Sequence, residues 1–72
     1  MTRDEFLAEM QDVLQRDEAL AYDMALSEIS EWDSLAAMAT MAFLQKKFKV
    51  HTTFADYRGM ETVEDIAAKA GL

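Results

Sequence analysis

The sequence contains no cysteine and no proline, and only two glycines and one histidine among its 72 residues. Without cysteine there is no disulfide framework, no thiolate metal site and no cysteine nucleophile, so any thiol chemistry needs a thiol brought in from outside. The scarcity of the two residues that punctuate turns argues against a turn-rich sheet and leaves a chain readable as all-α. His51 stands alone, with no H-x-x-H or H-E-x-x-H pattern around it, so it reads as a surface loop residue and not as a metal ligand. No Gly-x-Ser-x-Gly motif or plausible histidine partner supports a serine hydrolase. No apolar run approaches the roughly 20 residues of a membrane span. The opening Met1-Thr2-Arg3-Asp4-Glu5 is too acidic for a secretory signal, so the cytoplasm is the expected location. A chain of this length holds one core, and a single domain over residues 1–72 is expected. So small a core gives little support to a deep pocket of strained catalytic groups, which argues against an autonomous enzyme.

Positive charge is also in short supply, with seven lysines and arginines against 14 acids and a net charge of −7. Residues 1–33 carry ten acids against Arg3 and Arg16, whereas residues 34–72 carry four acids against five bases, so the balance runs from −8 to +1. Such a domain repels phosphate backbones, which excludes ordinary nucleic-acid binding. Basic protein partners are favoured, or the acids serve solubility alone.

What is present is helical periodicity. Thr2 and Glu5 have capping-box spacing. Phe6, Leu7, Met10, Val13 and Leu14 then recur every three to four residues, predicting a first helix to about Arg16. From Asp17 to Trp32 the pattern loosens while Leu20, Tyr22, Met24, Leu26, Ile29 and Trp32 keep it apolar, as in an ordered crossover that packs on the core. Asp33-Ser34 has N-cap chemistry, and the segment from Leu35 to about Phe48 has no glycine, proline or acid, predicting a second helix. Its expected core stripe is Leu35, Met38, Met41, Ala42, Leu44 and Phe48, but Ala36, Ala37, Ala39 and Phe43 leave it apolar over most of its circumference. An exposed apolar, methionine-bearing surface of this kind suits a docking partner. A short third helix is expected near Phe54 to Tyr57, with Gly59 supplying a left-handed exit. A fourth helix from Val63 to Ala70 follows the capping spacing of Thr62 to Asp65 and ends near Gly71.

The segment Trp32-Asp33-Ser34-Leu35 places a serine hydroxyl where a long loop meets the start of an apolar helix. Unpaired amides and the positive end of the helix dipole make that a compatible place for a phosphate ester. An everyday helix cap explains Asp-Ser equally well. The wider pattern adds to the pair: Asp33-Ser34-Leu35 resembles the phosphopantetheine attachment motif of the acyl and peptidyl carrier proteins, with Met38, Met41, Leu44, Phe48-x-Val50 and Thr62-Val63-Glu64-Asp65-Ile66 in matching register. The resemblance covers essentially the whole chain and lies in spacing more than in any one short motif.

The resemblance implies an all-α four-helix bundle with a long loop between helices 1 and 2 and a short helix 3. It implies a 4′-phosphopantetheine arm, taken from coenzyme A by a phosphopantetheinyl transferase and attached to Ser34. Asp33 and Leu35 complete the motif, Asp33 orienting the helix start. Acyl or aminoacyl groups would ride on the arm as thioesters, loaded by a ligase and passed to acyl-transferring or condensing enzymes, with the carrier itself a monomer and not a catalyst. Leu35, Met38 and Met41, with Trp32, would offer the partner surface, although Trp32 equally suits anchoring the loop on the core. The chain departs from fatty-acid-synthesis carriers in lacking acids on helix 2, in carrying Lys46, Lys47 and Lys49 at its end, and in having Trp32 and Lys49 where glycines are frequent. These departures point to a specialised pathway. The alternative is a small helical interaction module in which Ser34 is only a cap.

Overall fold

The computed structural model describes residues 1–72. The Thr2 hydroxyl accepts the Glu5 N–H at 3.1 Å, and the Glu5 carboxylate accepts the Thr2 N–H at 2.8 Å, closing the expected capping box. Helix α1 follows as Arg3–Val13 and ends before the expected Arg16. Gln15 turns left-handed at φ 53, and the Gln15 and Arg16 N–H groups bond back to the Asp12 and Gln11 carbonyls, both at 3.0 Å. This reversal usually falls on glycine. With glutamine there, the sequence carries no stop signal, and the expected helix overran.

The crossover contains a single 3₁₀ turn at Leu26–Glu28 and buries Leu20, Leu26 and Ile29. It is also stitched to the last helix. Leu26 N–H donates to the Glu61 carbonyl at 2.8 Å, while Val63 and Glu64 N–H donate to the Met24 and Tyr22 carbonyls at 3.1 and 3.0 Å. A helix leaves its first amides unpaired, so the loop here supplies the missing acceptors.

Helix α2 spans Ser34–Phe48, but of the expected stripe only Leu44 is fully buried, with Phe48 packed at the edge of the core. The core side is Ala36, Ala37, Thr40, Phe43 and Leu44; Leu35, Met38 and Ala42 are exposed, and Met41 and Phe48 are half-buried. A helix apolar nearly all round carries little periodic signal, so packing partners choose its face. Chief among them is Phe6, fully buried on α1, whose ring lies 5.9 Å from Phe43 and 6.0 Å from Phe48. Thr40, the one buried polar residue, donates its hydroxyl to the Ala36 carbonyl of its own helix at 2.8 Å and so leaves no unpaired donor.

Helices α3, Phe54–Arg58, and α4, Val63–Ala70, complete four α-helices with no strand beyond one isolated bridge between Ala25 and Thr62. Gly59 is not the left-handed exit expected of it. Its φ is −86, and its N–H closes an ordinary right-handed turn on the Asp56 carbonyl at 3.3 Å. Gly71, at φ 91, does end α4 in the left-handed conformation. One cluster of 13 buried side chains draws on α1, the crossover, α2 and α4.

Candidate functional site

Asp33 is the N-cap of α2. Its extended backbone, φ −149 and ψ −171, turns the side chain back so that Oδ1 accepts the Ala36 N–H at 2.8 Å. Ser34 is thereby freed from capping. It is the first residue of α2, it is exposed, and its hydroxyl has no hydrogen-bond partner in the protein. The division of labour follows from geometry: a carboxylate one residue before the helix reaches its first-turn amides, whereas a side chain at the first helical position points away from them.

The segment leading into the site is fastened at two points. The Arg16 guanidinium, with only 10% of its side chain exposed, donates to Glu31 at 2.7 Å and so ties the end of the α1 region to the residue before Trp32. That contact holds the Glu31 carboxyl below its ordinary range. Trp32 is half-buried against the core, its ring 6.0 Å from that of Tyr57 on α3. Tyr57 is in turn buried and shares a hydrogen bond with the Thr52 hydroxyl at 2.7 Å; burial pushes its phenol pKa up. Trp32 thus anchors the loop.

Two depressions flank the start of α2. One, of about 350 Å³, lies between the end of α1 and α2 and includes Leu14, Asp33, Leu35 and Ala36. The other, of about 200 Å³, lies between α2 and α3, and Ser34 opens onto this one together with Trp32, Ala37, Phe54, Tyr57 and Arg58. Phe54, Tyr57 and Arg58 recur at three-to-four-residue spacing on α3, a signal for one shared helix face, but nothing in the sequence alone ties Arg58 to Ser34. Of the residues predicted to matter, the structure brings Trp32, Asp33 and Ser34 to one groove. Leu35 and Met38, 74% and 53% exposed, project from α2 outside it, and Met41 is half-buried further along the helix.

Chemically, the site offers a free hydroxyl at the positive end of a 15-residue helix, with the Asp33 carboxylate engaged in capping and no histidine beside it. His51 lies past the far end of α2 and hydrogen-bonds back to Gln45, which is about 16 Å along the helix from Ser34 at the helical rise per residue. A hydroxyl in this position is accessible to an external enzyme and compatible with a phosphate ester, so the residues present fit the phosphopantetheine group that the resemblance implies.

No family model matches the sequence, and no curated protein matches it significantly. Solved structures do resemble it. A protein of Mycobacterium tuberculosis assigned as an acyl carrier protein superposes with a TM-score of 0.77 at 22% identity, over 94% of this chain and 92% of that one. The solution structure of a holo acyl carrier protein from Geobacter metallireducens gives 0.75 at 22% identity, over 94% of this chain and 79% of that one. The chain has the fold of the acyl carrier proteins. No helix is long and apolar enough to cross a membrane.

Proposed function

We propose that this protein is an acyl carrier whose Ser34 bears a 4′-phosphopantetheine arm. The observation that carries the reading is the Ser34 hydroxyl itself, exposed, unbonded and set at the first position of α2 within an acyl-carrier fold, while Asp33 takes over the capping. The holo form of one structural neighbour supports the same reading. In the transfer from coenzyme A, Ser34 Oγ forms the new bond to phosphorus, the diphosphate P–O bond breaks, adenosine 3′,5′-bisphosphate leaves and the serine proton passes to the phosphopantetheinyl transferase. The arm supplies the thiol that this cysteine-free chain lacks, and holds acyl or aminoacyl cargo as a thioester.

The chain's own part is to present the arm and be recognised. Leu35 and Met38 give the loading ligase and the acyl-transferring or condensing enzymes an apolar surface beside Ser34, with half-buried Met41 at its margin. An α2 without acids makes recognition depend on that apolar contact more than on acidic steering, which favours a specialised pathway in the cytoplasm over general fatty-acid synthesis. Incubation with coenzyme A and a broad-specificity transferase is expected to add one phosphopantetheine by intact mass, and none to Ser34→Ala. No addition with several such enzymes overturns the reading. It would leave a helical interaction module, in which Met38→Glu, and not Ser34→Ala, abolishes partner binding.

A further inference from the structure

The groove beside Ser34 contains one cation, and that cation has no partner. Arg58, the last residue of α3, lines the groove with Ser34 and is exposed. It makes neither an ion pair nor a side-chain hydrogen bond, whereas Arg3, Arg16 and Lys69 are each paired with a carboxylate. The only acid lining the groove, Asp33, has Oδ1 engaged by the Ala36 N–H. Resting on the carrier reading, attachment at Ser34 places a second anion, the phosphodiester, next to the Asp33 carboxylate. Like charges so close repel, and the screening length at physiological salt, about 8 Å, is too long to hide them from each other. The groove's countercharge is the Arg58 guanidinium, whose planar fork suits two phosphate oxygens at once. Trp32 and Phe54, the latter 44% exposed, give the same groove apolar walls.

We propose that Arg58 is a positioning residue that binds the phosphodiester on Ser34 across the α2–α3 groove. The test compares wild type, Arg58→Gln and Arg58→Lys, each loaded with coenzyme A and a transferase and checked by intact mass. The readout is the phosphorus-31 resonance of the folded protein at low and high sodium chloride, with the urea-unfolded holoprotein as reference. In wild type the resonance is expected to stand apart from the unfolded value at low salt and to move toward it at high salt. Arg58→Gln is expected to start near the unfolded value and lose the salt dependence, with Arg58→Lys between the two. Coincident resonances for wild type and Arg58→Gln, or a salt-invariant wild type, overturn the proposal while leaving the carrier reading standing. A wild type that gains no mass overturns both.

Discussion

At two helix ends a side chain stands where the backbone favours glycine. Gln15 holds φ 53 after α1, and Lys49 holds φ 60 after α2, where its N–H bonds to the Gln45 carbonyl at 3.1 Å. A left-handed residue with a Cβ costs about 1–2 kcal/mol, part of which glycine returns as lost entropy of the unfolded chain. Lys49→Gly is therefore expected to stabilise the fold by about 0.5–1 kcal/mol, read as a rise of several degrees in Tm. Gly59→Ala is expected to be tolerated, since φ is −86 and a Cβ would meet only the Asp56 carbonyl at 3.7 Å; a loss above about 1 kcal/mol would contradict this backbone reading. Ser34 shows how far a single residue is legible. Its spacing in the chain marked it, but a serine after an aspartate can be a cap or a free hydroxyl. Only the Asp33 to Ala36 bond shows that the cap is Asp33 and that the hydroxyl is spare.

Among the elements, the starts of α1, α3 and α4 each lean on a carboxylate that reaches back to the backbone. Glu5 accepts from Thr2, Asp56 from Thr53, and Asp65 from both Glu61 and Thr62. These backbone bonds hold all three carboxyls below their ordinary range, with Lys69 adding to the effect on Asp56. A carboxyl with a lowered folded pKa stabilises above its unfolded value and loses that contribution as pH falls through the folded one. Tm is thus expected to be level above about pH 5 and to fall below about pH 4. Asp65→Asn, uncharged throughout, is expected to flatten part of that fall; an acid limb identical to wild type would show that the α4 cap is not coupled to it. The Thr2–Glu5 and Thr62–Asp65 caps are legible because each pairs residues three apart in the chain, whereas the Thr53–Asp56 box, at the same spacing, emerges only in the structure. The buried face of α2 was not legible, because alanine, methionine and phenylalanine surround the whole helix, and the ring of Phe6 determines which side turns inward.

For the molecule as a whole, the decisive joint is the one between the crossover and α4. The Leu26, Val63 and Glu64 amides lie outside regular α-helical bonding, yet each is held by a carbonyl 35 to 42 residues away in sequence: Glu61, Met24 and Tyr22. Hydrogen exchange is expected to show these three amides protected to a similar degree, as one cooperative unit, and slower than the exposed Ser27 and Ser30 nearby. Fast, unequal exchange would mean the loop opens independently of α4. Arg3 spans the same joint, pairing with Glu64 at 2.7 Å while its guanidinium lies 4.0 Å over the Tyr22 ring, but this exposed pair adds little stability. The amino-acid sequence by itself determined the all-α class, the starts of the helices, the apolar crossover and the position of Ser34, because caps and periodicity act over one or two turns. The tertiary structure alone decided where α1 stops, which face of α2 is buried, that Trp32 anchors against Tyr57, and that Arg58 shares a groove with Ser34. The last three depend on contacts between segments far apart in the chain, of which local propensity carries no record, and α1 stops at a left-handed glutamine that propensity does not mark.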